Sequence, residues 1–269
     1  VTKEKAAIFV DNSNIYKGMQ SFGRELYKRG ELKSDSYLRI RWDMVLEMLE
    51  EQNEGLDIFA RHFFASLPPA ADVTHMKTRP TEEEWEEMVK KSAQTGFYKL
   101  IQNPPFNFTL HAVPLKFAMV YCRNKIKQAY YRCQDAQGGE IRCSLKLDTD
   151  ECYNCQKKFL FKYEKGVDVA LSAHMILFVT RSNVNLDRVI LVAGDGDFKE
   201  STRYVRQEAG KDLQIVSWKK ALSKDLKKIP NKETILLDDY WEDLCEVKSR
   251  PPIEEAPAID EDVEQDESK

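Results

Sequence analysis

Residues 189–198 read VILVAGDGDF: a short run of aliphatic β-formers, then Ala and Gly, then two aspartates separated by one glycine. A run of that length, closed by a turn, has the form of a strand buried on both faces. Residues 6–14, AAIFVDNSN, repeat the arrangement, with Asp11 closing the apolar run and Asn12-Ser13-Asn14 opening a helix. Buried strands of this kind belong to parallel α/β sheets, whose ligands meet the carboxyl ends of the strands. Between the two, KGVDVAL (165–171) brings Asp168 to a helix start. Asp11, Asp168, Asp195 and Asp197 are therefore expected to converge at one edge and to form a hard-cation site.

Working outward, Ile58–Ala65 (IFARHFFA) is a further strand, closed by Pro68-Pro69, and Leu213–Val216 is another. Trp42, Val45, Leu46 and Leu49 recur at helical spacing and predict a helix over Tyr37–Met48. Pro80-Thr81-Glu82-Glu83-Glu84 opens a second helix, with Pro early and acids in its first turn, running to about Ala93 with Gly96 beyond. Phe97–Ile101 and Phe108–Val113 read as strands. Helices are expected at Val167–Val179, at Lys199–Ala209 before Gly210, around Ser223–Ile229 and at Asp239–Val247, the last with Cys245 on its apolar face. This alternation predicts an α/β fold with a three-layer, mostly parallel sheet. After Phe117 the rhythm breaks, and five of the six cysteines fall between Tyr121 and Glu164. The expected organisation is a first part of the α/β domain at 1–120, a cysteine-rich insertion at 121–164, a second part at 165–248 and an acidic tail at 249–269.

The chain has 269 residues, 42% of them apolar and 32% charged, an ordinary balance for a globular protein. Its net charge of -4 is unevenly distributed. Residues 251–269 hold eight acids and one Lys, which leaves residues 1–250 with 40 Lys and Arg against 37 Asp and Glu. A body at +3 tolerates a polyanion locally without being a strongly basic binder. The tail reads as acidic and solvated. No apolar stretch is long enough to span a bilayer, and VTKEKAAIFVDN lacks a signal-peptide layout, so no membrane partner and a cytoplasmic location are expected.

FVDNSN (9–14), EKGVDVAL (164–171) and LVAGDGDF (191–198) followed by EAGKDLQIV (208–216) together resemble the NYN family, within the PIN-like group of metal-dependent ribonucleases. The resemblance implies a PIN-like fold, Mg²⁺ or Mn²⁺ as cofactor and RNA as partner. It places Asp11, Asp168, Asp195 and Asp197 at acidic positions of the active-site cluster, with Asn14 beside them. Lys165 falls where the family often has a basic residue and would contact the scissile phosphate. His174 is a departure, because the family commonly carries another Asp there. Imidazole can ligate Mn²⁺ but suits Mg²⁺ poorly.

The chemistry agrees with the resemblance. Phosphodiester hydrolysis needs an activated water and neutralised charge on the phosphoryl oxygens, which oxygen-ligated divalent ions supply. The bland alternative is that Asp11 initiates a turn and Asp197 caps a helix.

Cys133, Cys143, Cys152 and Cys155 have the form C-x9-C-x8-C-x2-C, and the last pair resembles one knuckle of a structural zinc site. QAYYRC and EIRC read as a hairpin that would join Cys133 to Cys143, giving a zinc-ribbon-like insertion. Cys122 in place of Cys133, or thiols acting as small hydrophobes, are alternatives. Arg123, Arg132 and Arg142 alternate with tyrosines and either grip single-stranded RNA or line the solvent face of a small ribbon.

The leading expectation is a metal-dependent ribonuclease acting on single-stranded or structured RNA. The alternative is a catalytically weakened NYN-domain RNA-binding or adaptor protein. A nuclease or phosphatase for DNA or small nucleotides is a third reading. Protein partners at the insertion or the tail, and a homodimer, complete the expected partners. A nicotinamide-binding fold is disfavoured, since no G-x-G-x-x-G follows the first strand.

Overall fold

KAAIFVD (Lys5–Asp11) forms strand β1 with Ala6–Asp11 all buried, and alternate side chains enter two different cores. Ile8 and Val10 pack on one face, Ala7 and Phe9 on the other, as the two-residue period of a strand requires. In a computed structural model this strand is central to a seven-stranded sheet. The structure describes residues 3–67, 83, 86–87, 90, 93–122, 132–134, 140–142, 159–181, 185–230 and 233–249.

The elements in chain order are β1, α1 (Asn12–Arg29), β2 (Ser36–Ile40), α2 (Trp42–Glu51), β3 (Asp57–Leu67), α3 (Ala93–Ile101) and β4 (Thr109–Cys122). Next come β5 (Arg132–Gln134), β6 (Glu140–Arg142), β7 (Phe159–Lys165), α4 (Val167–Thr180), β8 (Arg188–Val192) and α5 (Lys199–Arg203). The chain continues through β9 (Asp212–Ser217), β10 (Glu233–Leu236), α6 (Trp241–Leu244) and β11 (Cys245–Ser249). The main sheet has the order β10-β9-β8-β1-β3-β4-β7. Every neighbouring pair is parallel except β4 and β7.

α1 and α2 cover one face, through Ile15, Met19, Phe22, Leu26, Trp42, Val45 and Leu49. α4 and α5, with the turn before α5, cover the other through Val167, Leu171, Met175 and Phe198. The result is the expected α/β layering on a mostly parallel sheet. From β1 the chain moves to β3 and β4 on one side, then returns to β8, β9 and β10 on the other. β1 and β8 therefore flank a topological switch point, where an α/β sheet leaves a crevice at its carboxyl edge.

Several elements differ from their sequence reading. Ser36–Ile40 is a strand, antiparallel to β11, and only from Trp42 does the chain become helical. Asp239–Val247 is not one helix: a 3₁₀ turn and the single-turn α6 give way to β11, where Cys245 pairs with Ile40. Tyr37 and Arg39 leave one side of β2 exposed, and each strand supplies the other's hydrogen bonds, a long-range pairing that periodicity does not encode. Phe97–Ile101 is helical, with Tyr98 and Ile101 three residues apart and buried. The helix after Phe198 becomes π-wound over Tyr204–Glu208, and Ser223–Ile229 holds only a 3₁₀ turn at Leu226–Lys228.

Opposite the crevice, the amino edge is tied by a buried polar network. Arg188 on β8 donates to the Asn53 side-chain oxygen at 2.9 Å. Asn53 donates in turn to the Leu49 carbonyl at 2.8 Å and to Gln214 on β9 at 2.9 Å. Among the described residues no helix is long and apolar enough to cross a membrane.

Of the insertion, the short β5–β6 pairing sets Arg132 against Arg142 and Cys133 against Ile141. The side chains of Cys133, Arg132 and Arg142, all of Arg123, Cys143, Cys152 and Cys155, and the tail beyond Ser249 lie outside the described residues. The zinc-ribbon expectation falls on that part of the chain.

Candidate active site

The crevice is built from strand ends. Asp11 closes β1 and caps α1: one carboxylate oxygen accepts the backbone N–H groups of Ser13 at 2.9 Å and Asn14 at 3.1 Å. It is 1% exposed, so a carboxylate is held at the floor of this edge rather than on a free surface. Across the switch point, Asn14 accepts the backbone N–H of Gly194 at 2.8 Å and joins the start of α1 to the loop after β8. Gly194 is required there by space, because a Cβ would stand 2.6 Å from the Ala221 carbonyl oxygen and against the Ser217 hydroxyl. Asp195, half-buried, accepts the backbone N–H of Asp197 at 3.2 Å and starts the 3₁₀ turn Gly196–Phe198. Asp197 is exposed. The cap that the bland alternative gave to Asp197 is made by Asp195.

Asp168 reaches the same edge by another route. β7 runs against β4, and its last residue, Lys165, pairs with Leu115, just beyond the end of the β3–β4 pairing at Leu67–Pro114. The inverted strand therefore delivers Gly166 and the first turn of α4 to the carboxyl edge. Half-buried Asp168 lies in that turn. From there α4 runs toward the amino edge, with Phe178 packed on Phe59 near the start of β3.

The four aspartates share an edge, but they do not make a tight knot. Among the described residues, the only group of three or more His, Cys, Asp or Glu with mutually close ligand atoms is His62, His111 and His174, within 4.8 Å of one another. His174 stands in this imidazole cluster on the α4 face of the sheet. His62 Nδ1 is 3.1 Å from His111 Nε2. Ring centroids of His174 lie 4.6 Å from His62 and 4.4 Å from His111. Phe9 stacks on His62, and Phe64 on His111. Burial, then the neighbouring His174 and His111, holds His62 down at about 3. Burial and His174 hold His111 at about 4. His174 is lowered too, by burial and then Arg181.

Sequence reading found His174 and missed His62 and His111. The signal was available: three of the chain's four histidines lie inside apolar strand or helix segments. It also missed a cleft of about 680 Å³ beside Asn12, lined by Tyr16, Tyr37, Arg39, Arg41 and Phe97 among others. Tyr16 and Tyr37 are exposed there.

Residues 107–237 match the model of the NYN domain. Over this segment the chain is similar to an NYN domain. NYN is a PIN-like nuclease-family domain, and the matched segment holds Asp168, Asp195 and Asp197 together with His111 and His174. β1 and β3, which precede the match, lie at the middle of the main sheet and contribute Asp11 and His62. No curated protein matches the sequence. A protein of unknown function from Vibrio parahaemolyticus RIMD 2210633 is similar in structure, with TM-score 0.47 and 16% identity over 91% of this chain and 97% of that one.

Proposed function

We propose that this NYN-like domain is a divalent-metal-dependent ribonuclease whose reaction takes place at the carboxyl edge of the sheet. The observation that carries the reading is the arrival of Asp11, Asp195, Asp197 and Asp168 at that one edge, from three separate chain segments. The donor set fits Mg²⁺ or Mn²⁺. It is all oxygen, and Mg²⁺ retains several waters while using one or two carboxylates, so a loose group of acids suits it better than a tight cage. Asp11 and Asp195 would hold the ion, with Asp168 and Asp197 reaching it directly or through water. When bound, the ion supplies charge neutralisation at the phosphate and a more acidic water.

The chain's own residues do the positioning. Asn14 fixes the loop after β8 by accepting from Gly194, which keeps Asp195 in register with Asp11. Capping by Asp11 directs the start of α1 toward the crevice, and helix N-termini favour anions. The cleft beside Asn12 offers Tyr16 and Tyr37 for base stacking and Arg39 and Arg41 for phosphates. Lys165, at the β7 end, is the candidate cation for the scissile phosphate.

The test is cleavage of a labelled, mixed-sequence single-stranded RNA in Mn²⁺, Mg²⁺ or EDTA, comparing wild type with Asp195→Asn. The expected result is metal-dependent cleavage that falls at least a hundredfold in the variant, the order of loss from removing one electrostatic contributor to a transition state. Equal cleavage by both proteins, or cleavage that persists in EDTA, would sink the assignment. A second reading, an RNA-binding adaptor, is favoured by one observation: His174 belongs to the imidazole cluster rather than to the acids. RNA bound but uncut in every metal would support it.

A further inference from the structure

We propose that His62, His111 and His174 form a zinc site beneath the sheet's carboxyl edge, distinct from the acidic crevice. The three imidazoles come from β3, β4 and α4, so only the tertiary fold assembles them. Their ligand atoms lie within 4.8 Å of one another, and one pair, His62 Nδ1 and His111 Nε2, is separated by 3.1 Å. Two nitrogens bound tetrahedrally to zinc at about 2.0–2.1 Å stand roughly 3.3 Å apart, so this pair already has the spacing of a ligand edge.

His174 points the same way. His62 is 7% exposed, and among the described residues the buried Nε2 of His174 has no hydrogen-bond partner. Buried polar atoms are rarely left without a partner. Stacking of Phe9 on His62 and Phe64 on His111 fixes both rings, which limits the entropy lost on ligation. No carboxylate or thiolate joins the group among the described residues. A nitrogen-only set suits zinc and similar transition metals and excludes Mg²⁺ and Ca²⁺, which take oxygen. Burial and mutual repulsion keep these imidazoles neutral near pH 7, the form that ligates.

Such a site clamps α4 to β3 and β4. Asp168 precedes His174 by six residues, about 9 Å along the helix, so the clamp also steadies the first turn of α4. That last consequence rests on the ribonuclease reading; zinc binding does not.

The experiment uses the full chain, stripped with chelator and titrated with Zn²⁺, and with Co²⁺ as an optical stand-in. Wild type is compared with His174→Gln, His111→Gln and Asp195→Asn. The expected result is one equivalent of zinc lost, or its affinity lowered at least tenfold, in each histidine variant and retained in D195N. Co²⁺ should give a tetrahedral band that disappears in H174Q while any thiolate charge-transfer band from the cysteines persists. Unchanged stoichiometry and affinity in both histidine variants would overturn the site, leaving three packed neutral imidazoles. If a variant fails to fold by far-UV circular dichroism, the imidazole ¹⁵N resonances of wild type decide. Zinc-dependent shifts of three histidines support the site, and their absence refutes it. None of these readouts involves RNA, so loss of the nuclease reading leaves the result intact.

Discussion

Gly194 shows how little room the crevice leaves around a single residue. It lies between the β8 end and the β9–Ala221 turn, its N–H donates to Asn14, and a Cβ would press on the Ser217 hydroxyl and the Ala221 carbonyl. Backbone atoms cannot swing aside as a long side chain can. Gly194→Ala is therefore expected to destabilise by about 1–3 kcal/mol, the usual cost of overpacking, read as a lower urea midpoint at unchanged slope. It should also reduce RNA cleavage, because Asp195 is the next residue. Stability equal to wild type would mean that the loop yields easily and that the glycine has another role. At this scale the sequence marked the turn, since Gly194 stands between an apolar strand and an Asp. What it could not show was the occupant of the space, since Ser217 and Ala221 are remote in the chain.

At the scale of elements, α2, β8 and β9 are bound together by Asn53. This residue lies in the turn after α2, is 4% exposed, and satisfies Arg188, Gln214 and the Leu49 carbonyl at once. Removing it leaves a buried guanidinium and a buried amide each short of a partner. Asn53→Ala is expected to cost about 2–4 kcal/mol, more than an average core truncation of that size. The loss should change little between low and high salt, as the group is shielded from solvent. A loss below about 0.5 kcal/mol would show that water replaces the amide without penalty. Element identity was legible where both sheet faces are apolar, as in AAIFV and VILV. It was misread at Ser36–Ile40 and Cys245–Ser249, where each strand's pattern makes sense only beside the other.

For the whole molecule, the imidazole cluster links acid stability to the packing of α4 on the sheet. In EDTA, where no ion competes, His62 and His111 are held at about 3 and about 4, below their ordinary 6.5, and His174 is also lowered. The unfolded chain takes up these protons first as pH falls, so it binds more protons than the native state across that interval. Among the described residues, the charged groups that act on the cluster are the histidines themselves and Arg181, and all oppose protonation. Stability is therefore complete above about pH 6.5 and is lost progressively as pH falls toward 4. Urea midpoints measured across this range should fall with pH in wild type and fall less steeply in His174→Gln. Parallel curves for the two proteins would show that other groups set the acid limit.

The sequence by itself determined the parallel α/β core, the strand-terminal positions of Asp11 and Asp195, and the helix start at Asp168. Each of these is written in contiguous residues, through apolar run length, helical spacing and turn chemistry. Tertiary structure alone decided the β2–β11 ribbon, the inversion of β7 that carries Asp168 to the common edge, and the meeting of His62, His111 and His174. Those outcomes depend on which strand lies beside which, and long-range pairing brings together side chains whose separation along the chain holds no local signal.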